Sequence, residues 1–153
     1  MVQPLLQFNF GFATDEAFLA NQILDSFTIS IQSTDQQFTA VFLTTDASGT
    51  VLAPATPGAV EVPASTISLT PIPYPPLAPI LGSESAFAVS AAIPQQFWGS
   101  PINVYFDLFD NGDVTASQGW LSDVKVSTIP EPGCWDLLFG AGLAFWSMRR
   151  FRK

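Results

Sequence analysis

"LLQFNFGF", residues 5–12, sets Leu6, Phe8, Phe10 and Phe12 in strict alternation with Gln7, Asn9 and Gly11. Successive side chains of an extended chain point to opposite faces, so this spacing gathers four large apolar groups on one face and leaves the other polar or bare. A helix would scatter the same residues around its circumference. The stretch predicts a half-buried strand, and the chain beyond it repeats the pattern.

"LDSFTISIQS", residues 24–33, alternates Phe27, Ile29 and Ile31 with Thr28, Ser30 and Gln32. "QFTAVFLTT", residues 37–45, follows a polar break and carries apolar groups on both faces, so the two read as a hairpin. Residues 46–49 are a turn signal before "TVLA", and "STISLT" and "SAFAVSAA" are shorter strand candidates. "INVYFDLFD", residues 102–110, is the strongest: Ile102, Val104, Phe106 and Leu108 fill one face while Tyr105 and Phe109 add to the other. Apolar groups on both faces predict a position near the centre of a sheet. In "GWLSDVKVST", residues 119–128, Trp120, Val124 and Val126 are expected on one face and Asp123, Lys125 and Ser127 on the other.

Residues 53–63 and 70–80 are rich in proline, which cannot donate to a ladder, and are expected as loop or polyproline II. "DEAFLANQIL", residues 15–24, fits a short helix or a long connection. Short strands with turn punctuation predict a mainly β protein. The expected body is an antiparallel β-sandwich of jelly-roll-like type over residues 1–128, followed by a tail, residues 129–153, with a short hydrophobic helix.

Charge divides along the same boundary. Residues 1–129 hold eleven acidic residues and one lysine, net −10, whereas residues 130–153 are net +2. Phosphate backbones demand clustered Lys and Arg, so the acidic body argues against a nucleic-acid partner. With 153 residues and fourteen Phe, a substantial core is within reach. The one cysteine, Cys134, has no partner for an intrachain disulfide.

The chain has no histidine, which removes the commonest general base and the commonest metal ligand. Phosphate-cradling glycine motifs are absent as well. The densest acidic cluster is Asp107, Asp110 and Asp113 around Asn111 and Gly112. It fails the EF-hand spacing, since Phe109 and Gln118 occupy ligand positions, yet clustered carboxylates on a loop fit a Ca2+ site of another kind. The competing reading is an Asn-Gly hairpin turn that needs no metal. Paired carboxylates flanking a cleft would be needed for glycoside hydrolysis, and Trp98, in a loop bounded by proline and glycine, offers a platform for a sugar ring. A secreted module that binds or processes polysaccharide is therefore the alternative to a noncatalytic body.

The tail carries the most specific signal. Pro130, Glu131 and Pro132 precede an uncharged run that includes Leu137, Leu138, Phe139, Leu143, Phe145 and Trp146, and Arg149, Arg150, Arg152 and Lys153 end the chain. Extended back through Asp136 to Trp135, the run would make about 21 Å of helix, short of the ~30 Å hydrocarbon core, but snorkelling arginines and the tryptophans near its two ends extend its reach. The positive-inside rule keeps the basic end in the cytoplasm and sends the body across the membrane.

This three-part order resembles the PEP-CTERM sorting signal of bacterial exosortase substrates over about the last 24 residues. The resemblance implies export, transient membrane anchoring, and recognition or cleavage near Pro130–Pro132 by an integral-membrane exosortase. Delivery to the cell surface or to an extracellular biofilm matrix would follow. Such proteins normally begin with a secretory leader, and residues 1–12, with no basic start and no continuous apolar run, do not read as one.

Overall fold

The computed structural model describes residues 3–17, 22–73, 83–112 and 115–128. Eight strands follow in order: β1 (Pro4–Thr14), β2 (Ser26–Ser33), β3 (Thr39–Asp46), β4 (Gly49–Leu52), β5 (Ile67–Pro71), β6 (Ser83–Ala92), β7 (Ile102–Phe109) and β8 (Ser117–Thr128). Among the described residues the only helical elements are two short 3-10 turns, at Ala64–Thr66 and Gln95–Phe97. Residues 15–17 and 22–25 are irregular, so the described parts of the 15–24 stretch serve as a connection.

The strands form two four-stranded sheets, ordered β5-β6-β1-β8 and β4-β3-β2-β7, and every pairing is antiparallel. Both sheets turn an apolar face inward. From β1 come Leu6, Phe8, Phe10 and Phe12, all at most 2% exposed, and from the facing sheet come Phe27, Ile29, Ile31, Ala40, Phe42 and Leu43. Phe10 stacks on Phe27 at 5.9 Å, and Phe8 meets Phe106 edge-on at 5.6 Å, so aromatic pairs bridge the layers. The apolar residues on both faces of the 37–45 stretch have a simple cause. A register shift between Ile29 and Ser30 inserts an extra residue in β3 and turns Phe42 and Leu43 both inward.

The topology departs from a jelly roll, in which successive strands alternate between sheets. Here β2, β3 and β4 stay in one sheet and β5 and β6 in the other. Tight polar turns fold β3 back onto β2 and β4 back onto β3. In the β2–β3 turn, Ser33 Oγ (2.6 Å) and the Gln37 amide (3.2 Å) donate to Asp35 Oδ1 and hold its carboxyl below the usual carboxylate range. Gln36 there takes a φ of 60°. The proline-rich expectation is corrected in one place: β5 runs to Pro71, which pairs with Phe87 on a sheet edge, where a missing N–H costs no ladder bond.

Two further expectations fail for identifiable reasons. β7 lies at an edge, hydrogen-bonded to β2 alone, and its second apolar face is solvent-facing, with Tyr105 39% and Phe109 51% exposed. Apolar residues on both faces mark a central strand only when both faces are covered. On β8 a bulge falls opposite Phe8, where Gln7 pairs with Lys125 and Asn9 with Ser122, and Asp123 adopts a φ of 56°. The extra residue flips the alternation. Val126 pairs with inward Leu6, while Trp120 pairs with Gly11 and lies on the outer face.

Gly11 explains why Trp120 can lie there. A Cβ built on Gly11 would stand 1.9 Å from Trp120 Nε1 and 2.6 Å from Cδ1, so the indole rests directly on bare backbone. Gly11→Ala is expected to cost about 1–3 kcal/mol by displacing the ring. In a Trp120→Ala background the same substitution should become neutral or stabilising, because it then only reduces the freedom of the unfolded chain. Urea melts of the four proteins in a double-mutant cycle check this change of sign.

Candidate functional site

At one end of the two sheets β1 stops at Thr14, β2 starts at Ser26, β7 stops at Phe109 and β8 starts at Ser117. Register places these ends side by side: Thr14 pairs with Ser117, and Ser26 with Phe109. Residues 15–25 and 110–116 therefore both cross between the sheets here. Chain crossings leave backbone N–H groups without ladder partners, and side-chain acceptors must serve them. Glu16 and Asp25 do so.

Glu16 is 7% exposed and Asp25 is fully buried. The Asp25 amide donates to Glu16 Oε2 at 2.7 Å, closing the first crossing on itself. Asn111 ties the second crossing to the first: its amide N–H donates to Asp25 Oδ1 at 2.8 Å, and its Nδ2 donates to Glu16 Oε1 at 2.8 Å and to the Ile23 carbonyl at 2.9 Å. Thr14 Oγ1 accepts from the Glu16 amide at 3.0 Å, and Ser117 Oγ lies 2.7 Å from the same oxygen. The Asp15 amide donates to the Ala116 carbonyl at 3.0 Å. Two buried carboxylates are thus held together by one asparagine at the junction of four strands.

The acids picked out by sequence stand elsewhere. Asp107 projects from the outer face of β7, paired with Thr28, and is exposed. Asp110 is exposed and accepts from the Gly112 amide at 2.7 Å, which shapes the turn. Asp113 lies outside the described residues. Among the described residues no three His, Cys, Asp or Glu side chains converge as a metal group. The hairpin reading is corrected too. β7 and β8 belong to different sheets, Gly112 alone of the Asn-Gly pair has positive φ, and Asn111 is committed to Glu16 and Asp25.

Trp98 is half-buried against the core at the opposite end, and its Nε1 donates to the Ile93 carbonyl at 2.8 Å. Beside it Phe97 is buried, edge-on to Phe38. An open hollow of about 440 Å3 between Val41 and the 53–64 loop contains Glu61 as the one titratable group among its described residues, so it offers no acid–base pair.

The sequence reading missed Glu16 and Asp25 because it weighted acids by density. The usable signal was position: an acid just after one alternating segment and another just before the next, with an asparagine at the corresponding end of β7. The tail residues Pro130, Glu131, Pro132, Leu137, Leu138, Phe139, Leu143, Phe145, Trp146, Arg149, Arg150, Arg152 and Lys153, and with them the expected hydrophobic helix, lie outside the described residues. Among the described residues no helix is long and apolar enough to cross a membrane. Comparison of the chain with protein-family profiles, curated proteins and solved structures finds no match.

Asn111→Ala removes the Nδ2 donor shared by Glu16 and the Ile23 carbonyl, and it should destabilise the fold by about 1–3 kcal/mol. Asp107→Ala, exposed on the outer face of β7, should change stability by less than about 0.5 kcal/mol. Paired urea denaturation curves read both.

Proposed function

We propose that the chain is an exported, noncatalytic β-sandwich protein of the cell surface or extracellular matrix, whose residues 129–153 are a sorting tail recognised and cleaved by an exosortase. The observation that carries this reading is the order of three chemistries at the end of the sequence: Pro130-Glu131-Pro132, an uncharged apolar run, and four basic residues in the last five. Each part has a physical task. Two prolines flanking Glu131 keep that segment extended and free of ladder bonds, as an enzyme's binding cleft requires. The apolar run partitions into the bilayer, and the basic end fixes orientation through the positive-inside rule.

The charge division supports the same reading. A body of net −10 has no polybasic surface to hold it on anionic lipid, so the tail alone supplies membrane affinity, and cutting it releases the body. The two antiparallel sheets suit an exported module, since hydrogen-bonded ladders and an aromatic core need no disulfide to close them.

The test is expression of the full chain behind a secretory leader in a host carrying an exosortase and in the same host without it. Intact mass should show loss of the residues beyond the Pro130–Pro132 region only where the enzyme is present. Replacement of Pro130, Glu131 and Pro132 by alanine should leave uncut protein in the membrane fraction. An unclipped chain in the soluble fraction of both hosts would refute the proposal.

A further inference from the structure

We propose that Asp25 anchors a Ca2+ site at the strand junction, with Glu16 as the second carboxylate and neutral oxygens of the turn at residues 110–112 completing the donor set. Asp25 is 0% exposed, and only one of its two oxygens is engaged: Oδ1 accepts from the Asn111 amide, whereas Oδ2 meets no hydrogen-bond donor among the described residues. A buried carboxylate oxygen with nothing to bond is costly, and native proteins rarely leave one. A cation satisfies the oxygen directly.

No basic side chain among the described residues reaches it. Lys125 is the one such residue, and it pairs with Gln7, seven residues along β1 from Thr14, or roughly 24 Å at strand rise. The side-chain and carbonyl acceptors gathered there, on Asp25, Glu16 and Ile23, are all oxygens, with Asn111 turning its Nδ2 and backbone N–H toward them, and the chain has no histidine to add a nitrogen ligand. An oxygen-only set on irregular backbone selects a hard divalent ion with tolerant geometry, which is Ca2+ before Mg2+. Two carboxylates place the affinity in the weak class typical of extracellular modules, Kd about 10⁻⁴–10⁻³ M. The two carboxylates are not those of the Asp107–Asp113 cluster, which shares only its 110–112 turn with the site, and the site does not depend on the reading of the tail.

The experiment is thermal unfolding of the full chain in CaCl2 and MgCl2 at matched ionic strength, alongside equilibrium dialysis with radioactive calcium. The expected result is one bound Ca2+ and a Tm raised by about 4 °C or more in 10 mM CaCl2, reversed by chelator and larger than in MgCl2. Asp25→Asn should abolish the shift, Glu16→Gln should weaken binding at least tenfold, and Asp107→Asn should leave the response intact. If Asp25→Asn does not fold, the wild-type dialysis with the Glu16→Gln and Asp107→Asn proteins decides. No Ca2+ shift, an equal shift in both salts, or an undiminished response in Asp25→Asn would overturn the proposal, the last two pointing to diffuse screening of an acidic surface and to binding elsewhere.

Discussion

The inward row of β1 is the constraint on which the two sheets depend. Phe10 stands at its centre, stacked on Phe27 across the layers and packed against Phe87 within its own sheet at 5.7 Å, while Phe8 reaches Phe106. Burial of each ring contributes about 1.5–3 kcal/mol, and each well-placed aromatic pair adds about 0.5–1.5 kcal/mol. One strand therefore touches the inner faces of β6, β2 and β7 together. That is also why β1 is central in its sheet, paired on both sides, and why Gly119 of β8 has no side chain: a Cβ there would stand 3.1 Å from the Phe27 ring.

The four sheet edges are protected unequally. β4 has only four residues, β5 ends in Pro71, and β8 carries the bulge at Asp123 with Lys125 beside it, all devices that discourage a further strand from pairing. Asn9 fixes the bulge by donating to Asp123 Oδ2 at 2.7 Å. β7 has none of these features, and only Asp107 interrupts the exposed row of Tyr105 and Phe109. Because β7 and β8 flank the same side, the inward residues there are incompletely covered: Leu108, Leu121, Val124 and Val126 are 37–55% exposed. The core is sealed under β1, β2 and β3 and thins toward that flank.

Strands were legible in the sequence where one face is buried and the other wet, because only then does alternation report the pleat. Residues 5–12 and 26–33 meet that condition, and β1 and β2 follow them closely. Position within a sheet was not legible. It depends on which strands pair, and β7 shows apolar residues on both faces without being covered on both. Bulges were equally hidden, since a single inserted residue in β3 or β8 changes facing without changing composition. The candidate site was missed for a related reason. Glu16, Asp25 and Asn111 are distant in sequence, and their convergence follows from two crossings that meet only once both sheets exist.

Geometry also separates the two ends of the molecule. Pro4 pairs with Thr128, so the body's first and last paired residues meet at one end, whereas Glu16, Asp25 and Asn111 occupy the other. β8 runs twelve residues between them, roughly 40 Å at strand rise. The β1–β8 ladder is complete before residue 129, so its hydrogen bonds do not draw on residues 129–153. In the proposed sorting reading, severing the chain at residues 130–132 leaves each of the described ladders intact.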